Sequence, residues 1–388
     1  MFVQWIFAKL LSNAIQTVAF VEKMESQSLR VRCIKSHKLS SFTQGGIAME
    51  SQSFGEFMQM WLYGEEGYYR KVRVGKTGDF YTNVSVGKFF GFTLGFYLQE
   101  ILKTQKGRIA IIEIGSEKGD LIADIAEFLH LKGEENVEFW TLEPLNELQR
   151  IQKENFHQRL RMELQTATKL EDFSGLEVAL FVSNELLDAF ACELVFKGEM
   201  AFVEGGELVF KEINAEILEL AKAFNVEIGE IPLGAFEFVE NLAQVAPKWL
   251  FLGFDYGALM ARNTFSLRLY AQHQTQNFFP NPASKLCDST LLGLFGKADL
   301  TYDVNFALWR EAFLRIGGRE CFFCVQNRAL VDMGLDKMCE WYIAHFGLEH
   351  YMTQSSKIRT LISPGALGER FFGMCFANFE ISAHNKAI

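Results

Sequence analysis

The sequence predicts an α/β protein built on a doubly wound, mostly parallel sheet, and three observations carry that prediction. The first is Ile109-Ala-Ile-Ile-Glu-Ile-Gly-Ser-Glu-Lys-Gly119, an apolar run closing on an acid and two glycines before an amphipathic segment that extends to about Leu131. A strand, tight turn and helix of this kind receive a nucleotide-like ligand at the carboxyl end of a parallel strand. The second is continued alternation. Apolar runs at 137–142, 178–182, 249–254 and 320–325 are interleaved with helical patterns at 146–161 and 304–316, the signature of parallel sheets covered by helices. The third is a change of period. Between Glu193 and Glu212 the apolar runs break at Lys197-Gly198 and Gly205-Gly206, which predicts an antiparallel insert of two hairpins.

The flanking segments follow from the same patterns. Residues 1–48 differ in composition from the rest, with an apolar start and then Arg30, Arg32, Lys35 and Lys38 among serines and threonines. They read as a partial organelle transit peptide or as an over-long start, with Met49 opening the protein proper. Residues 49–104 predict a helical cap, made of a short helix at 54–62, a glycine- and tyrosine-rich loop at 64–86 and a second helix at 85–103. Residues 105–388 predict the core, with the hairpins and two helices inserted at about 193–246 and a mostly helical tail.

Composition narrows the function classes. A chain of 388 residues, 49% of them hydrophobic, can bury a large core. Its net charge of -10 argues against general nucleic-acid binding, which needs a basic face. No apolar run approaches the roughly 20 residues of a spanning helix. Seven irregularly spaced cysteines read as reduced thiols of a cytoplasmic protein; a transit peptide would make it mitochondrial. Cys321 and Cys324 sit on a predicted strand, where residues three apart face opposite ways. His130, His157, His345 and His350 show no ligand spacing, so no metal is expected.

The chemistry is expected where the core strands end. Gly115 lets the backbone approach a ligand, Gly119 lets the helix start close to the sheet, and Glu113 is the acid that closes the strand. Glu143 ends the next strand roughly 25 residues on, where an acid can accept both ribose hydroxyls of an adenosyl group or simply cap a helix. The strand at 178–182 ends in Ser183-Asn-Glu-Leu-Leu-Asp-Ala189. Asn184 offers an amide there, and Glu185 with Asp188 offers two carboxylates that could hold a guanidinium and draw off its proton. They could equally cap the following helix. Asp255-Tyr-Gly257 adds an acid at the same edge.

These segments resemble a known family. Gly67-Tyr-Tyr69, Gly78-Asp-Phe-Tyr-Thr82, Phe89-Phe-Gly91, Ile112-Glu-Ile-Gly115, Asn184-Glu-Leu-Leu-Asp-Ala189, Asp255-Tyr-Gly257, Arg268-Leu-Tyr270 with His273, Ala298-Asp-Leu-Thr301, Val304-Asn-Phe306 and Gly368-Glu-Arg-Phe371 occur in the order of the MidA-like family. The resemblance covers about Ser53 to Phe372. It implies a Rossmann-like class I methyltransferase fold with additions and S-adenosyl-L-methionine as cofactor. On this basis Gly78, Thr82, Glu113, Gly115, Gly119, Glu143 and Asn184 are expected to bind the cofactor, and Glu185, Asp188 and Asp255 to be catalytic. It further implies methylation of a protein arginine, in the mitochondrial member on a respiratory complex I subunit; a homodimer stays open. The chain departs from the family at Glu117, where the middle glycine of Glu-x-Gly-x-Gly-x-Gly is expected, and at Thr82-Asn-Val84. Two readings therefore stand. One is a protein methyltransferase; the other is a catalytically weakened assembly or interaction protein on the same fold. A dehydrogenase is weaker, since the turn lacks the dinucleotide spacing.

Overall fold

The computed structural model describes residues 51–70, 83–271 and 274–381, all within a unit that spans residues 43–388. Its first elements are β1 (Gln52–Ser53) and α1 (Phe54–Tyr63), then a one-turn helix α2 (Asn83–Val86) and α3 (Phe89–Leu102). The alternating core follows as β2 (Ile109–Ile114), α4 (Asp120–Leu131), β3 (Glu138–Leu142), α5 (Asn146–Leu160), β4 (Gln165–Ala167) and β5 (Val178–Asn184). Next come β6 (Cys192–Phe196), β7 (Glu199–Glu204), β8 (Glu207–Glu212), α6 (Ala215–Ala223), β9 (Ile228–Pro232) and α7 (Ala235–Ala243). The chain continues through β10 (Lys248–Ala258), β11 (Arg268–Ala271), β12 (Gln274–Asn277), β13 (Asp299–Thr301), β14 (Val304–Asn305), α8 (Phe306–Arg315) and β15 (Arg319–Val325). The last described elements are α9 (Gln326–Asp332), α10 (Leu335–Phe346), α11 (Leu348–Ile362) and β16 (Phe371–Ala377).

The main sheet has the order β15-β16-β10-β5-β2-β3-β4. Strands β10, β5, β2, β3 and β4 run parallel, with Ile111 opposite both Leu180 and Phe139. Every residue of β2 is buried, as are the first six of β5, because helices cover both faces of a parallel sheet and leave no polar side. Helix α3 lies close on α4. A Cβ on Gly91 would come within 2.4 Å of the Asp124 side chain, so only glycine permits that approach.

A second sheet, β1-β7-β6-β9 with β8 on β7, is antiparallel throughout. Its hairpins turn at Lys197-Gly198 and Gly205-Gly206, all four residues at positive φ. That geometry matches the right-handed twist of paired strands. Helix α1 belongs to this sheet. Ser53 and Glu56 form a reciprocal capping box at its start, and Phe54, Phe57, Met58, Trp61 and Leu62 repeat at helical spacing as its buried stripe. They pack with Leu194, Val203, Leu269 and Tyr302, whereas α3 packs into the core around Ile111, Leu180 and Leu252. The segment expected to form one cap thus divides between two cores.

Besides the short strands β1, β4, β9 and β14, two parts of the fold differ from the sequence expectation. The tail is helical through α9, α10 and α11, yet it closes with β16, which inserts antiparallel between β10 and β15. An unalternating run such as Phe-Phe-Gly-Met-Cys-Phe-Ala carries no periodicity that separates strand from helix. The small sheet β12-β11-β13 was likewise not evident, since two of its strands have four residues and one has three. No described helix is long and apolar enough to cross a membrane.

Candidate functional site

The glycine turn lies at the carboxyl end of β2. Gly115 and Gly119 both adopt φ 76, and Glu117 between them adopts φ 45, a left-handed conformation that costs a non-glycine residue roughly 1–2 kcal/mol. Gly119 N–H donates to Ser116 O at 2.6 Å and closes the turn. Glu113 works from behind. Its Oε2 accepts the Ile122 amide at 3.0 Å, it is buried, and burial holds its proton affinity well above the ordinary carboxylate range. It fixes where α4 begins, so its place in the site is as a brace of the turn.

Glu143 ends the adjacent strand β3. Its Oε1 accepts the Leu145 amide at 2.8 Å, and Gln152 Nε2 lies 3.4 Å from its Oε2. Gln152 is fully buried on α5. It also donates to Glu117 O at 3.0 Å and accepts from Thr141 Oγ1 at 2.7 Å. One amide thereby ties the turn to the acid. Sequence reasoning missed Gln152, because nothing in the polar pattern of α5 distinguishes it.

The next parallel strand on the other side of β2 is β5, and its end carries the second group of residues. Glu185 sits at φ 53, with its amide donating to Phe254 O at 2.9 Å and its Oε1 accepting from Asn184 Nδ2 at 2.9 Å. Asn184 Oδ1 in turn accepts from Asn83 Nδ2 at 2.8 Å, and Asn83 Oδ1 accepts from Gln326 Nε2 at 2.7 Å. This chain of amides sets the Glu185 side chain from residues far away in sequence. Burial, with Asp188 beside it, raises the Glu185 pKa to about 8. Asp188 accepts the Tyr256 hydroxyl, and burial raises its pKa to about 6 despite that bond and the nearby Arg268.

Asp255 has a different task. Oδ2 accepts the Leu187 amide at 2.7 Å and that of Asp188 at 3.4 Å, and Oδ1 accepts the Tyr256 amide at 2.8 Å. Only 1% of it is exposed. The carboxylate is occupied with the backbone that carries Asp188, so the structure makes it a clasp of the site where the sequence suggested a catalytic acid. Tyr63 and Tyr69 stack at 5.4 Å nearby. Tyr63 donates to Ala189 O and Tyr69 to the buried Asp299.

Gly115, Gly119, Glu113, Glu143, Asn184, Glu185, Asp188 and Asp255 therefore share one edge of the parallel sheet, while Gly78 and Thr82 lie outside the described residues. The arrangement suits an adenosyl donor. Gly115 is exposed, and a Cβ there would meet only Leu186 at 3.4 Å, so the turn leaves its backbone open to a ligand. Glu143 keeps lone pairs beyond its two bonds. Among the described residues no group of His, Cys, Asp and Glu side chains is placed to hold a metal ion.

Comparison with known proteins agrees with this fold. A structure from Burkholderia thailandensis, a proposed methyltransferase bound to S-adenosyl-homocysteine, is 21% identical with a TM-score of 0.70 over 84% of this chain and 88% of that one. A native structure of an uncharacterised protein of the same superfamily and organism is 22% identical with a TM-score of 0.69, over 84% and 87%. Both likenesses are of fold. None of the curated proteins matches the chain. Residues 93–322, more than half of the sequence, match a family described as "Putative S-adenosyl-L-methionine-dependent methyltransferase". The chain belongs to this family of S-adenosylmethionine-dependent methyltransferases.

Proposed function

We propose that the chain methylates an arginine side chain of a protein, as a member of the MidA-like branch of this family. The observation that carries the proposal is the pair Glu185 and Asp188, two carboxylates of raised proton affinity at the strand end next to the glycine turn. Gly115, Gly119, Glu143 and Asn184 would hold the donor. S-adenosylmethionine, when bound, supplies a methyl group made electrophilic by its sulfonium. The acceptor guanidinium is held by charge-assisted bonds to Glu185 and Asp188. Its nitrogen releases a proton on methylation, and a carboxylate with a pKa of about 8 is a matched base near neutral pH. Residues 1–48 are proposed to be dispensable for this reaction, and the location cytoplasmic unless they are a transit peptide.

Calorimetric titration with S-adenosylmethionine and S-adenosylhomocysteine tests the donor site. Transfer of labelled methyl groups to a cell extract, followed by identification of the modified residue, tests the acceptor. Methylation confined to residues other than arginine would refute the acceptor reading. No donor binding at high concentration would favour an assembly or interaction role instead.

A further inference from the structure

Two short sequence motifs, Arg268-Leu-Tyr270 and Gly368-Glu-Arg-Phe371, lie outside the donor turn and outside the strand end that carries the acceptor carboxylates. The fold brings their arginines together. With Arg262 they line a cleft of about 490 Å³ beyond the end of β10. Tyr256 forms the wall between this cleft and the acceptor site. Its hydroxyl bonds Asp188, while the guanidinium groups of Arg268 and Arg370 lie 5.0 and 5.6 Å from its ring centroid. Cations over an aromatic face are attracted by its quadrupole, which helps to hold both arginines beside the site.

The charges of the cleft are incompletely balanced. Asp303 is shared, pairing with Arg268 Nη1 at 2.7 Å and also with Arg262. Arg268 keeps Nε and Nη2 without a hydrogen-bond partner among the described residues, although both are shielded from solvent. Within the lining of the cleft three guanidinium groups stand against two carboxylates, Asp303 and Glu369, an excess of one positive charge in a chain of net charge -10; across Tyr256, Arg268 also acts on Asp188 and Arg370 on Glu185. Local potential in a concave site attracts the opposite charge. A single excess charge suits a monoanion better than a phosphate dianion, which the two acids would repel.

We infer that this cleft is a carboxylate subsite, and that it takes an Asp or Glu side chain of the acceptor polypeptide close to the residue held by Glu185 and Asp188. The inference rests on the proposed reading of those two carboxylates. It assigns the enzyme a sequence preference, an acidic neighbour beside the modified residue.

Fluorescence anisotropy with four labelled peptides, in the presence of S-adenosylhomocysteine, tests it. The peptides carry Arg or Gln at the centre and Glu or Gln at the flanking positions. Each Glu peptide should bind about 10-fold tighter than its Gln counterpart, the scale of one charge-assisted contact. Arg370→Gln, at an exposed position, should abolish that preference while its melting temperature stays at that of the wild type. Equal binding of Glu and Gln peptides by the wild type overturns the subsite. A Glu preference without methyl transfer to the Arg peptide leaves the subsite standing and refutes arginine as acceptor. Free glutarate displacing the Glu peptide at that peptide's own affinity overturns the polypeptide source and assigns a small organic acid.

Discussion

Two regions of this molecule withdraw carboxylates from solvent, and they treat them differently. In the antiparallel sheet, Glu193 accepts from Ser53 Oγ and the Gly55 amide, and Glu230 accepts from the Ser266 amide, its hydroxyl and the Leu267 amide. Each clasps one segment to another with its lone pairs directed at donors of the fold. At the edge of the parallel sheet, Glu185 accepts one side-chain bond and Asp188 one hydroxyl, on backbone that includes a left-handed glutamate. Burying a carboxylate without filling its acceptor sites costs free energy. Asp188, 4% exposed, meets that cost at the sheet edge, and Glu185 beside it is half-buried with an open oxygen; we propose that these oxygens face a ligand. Asp255 marks the boundary, because it lies at the site yet is bonded as a clasp.

The comparison breaks most visibly at Asp255. Asp255→Ala orphans the amides of Leu187 and Tyr256, at ~1–3 kcal/mol each, so stability should fall by about 2–6 kcal/mol. Urea unfolding reads this, and Asp255→Asn, which keeps an acceptor, should lie between mutant and wild type. An unchanged midpoint with lost activity would return Asp255 to the catalytic group. Glu185→Gln should do the converse. Methyl transfer should drop by about 10²–10⁴-fold, the usual worth of a positioned acid or base, while melting temperature and donor affinity hold. If that variant unfolds instead, Glu185 is a clasp as well and the contrast between regions collapses.

How much of this was legible follows from the distance over which each feature is encoded. The glycine turn and both hairpins depend on adjacent residues, and their positive-φ positions could be read from Gly115, Gly119, Gly198 and Gly206. The position of Glu185 and Asp188 at the sheet edge was legible because they follow directly on a buried strand. The division of buried acids into clasps and site residues was not, since the Glu193 partners lie 138 and 140 residues away. Asn83 and Gln326, which steer Asn184, are separated by 243 residues and belong to helices with no polar pattern of their own. The same holds for Tyr256 with Arg268 and Arg370, whose common ring contact exists only once β10, β11 and β16 are in place.

A pH titration sharpens the contrast with a smaller effect. Burial raises the pKa of Glu193 and Glu230 to about 7 from an ordinary 4.5. Between those values the folded state binds more protons than the unfolded one, so stability falls as pH rises through that window. Melting temperature should therefore decline from about pH 4.5 to pH 7, and Glu230→Gln should flatten the decline. Catalysis should run the other way. Glu185 has to lose its proton to pair with a guanidinium, so kcat/KM should climb between about pH 6 and pH 8 and lose that dependence in Glu185→Gln. A stability profile equally steep in Glu230→Gln would show that the clasp does not titrate in this range.

The smallest effect concerns Glu117, the other left-handed glutamate of the site. Its φ of 45 belongs to the fold, held by Gln152 on Glu117 O and by the closing Ser116–Gly119 bond. Glu117→Gly should relieve strain of roughly 1–2 kcal/mol, while the extra freedom of glycine in the unfolded chain takes back about 0.4–1 kcal/mol. The balance is a gain of roughly 0.5–1 kcal/mol, which for a chain this long raises the melting temperature by only about 1–2 °C. Because the strain resides in the turn itself, the gain should appear in melting more than in donor affinity. A tightening of S-adenosylmethionine binding beyond about 5-fold would instead show that the Glu117 carboxylate repels the donor. A lower melting temperature would mean that the exposed glutamate contributes more to the turn than its backbone costs, and that the sequence has adapted to it.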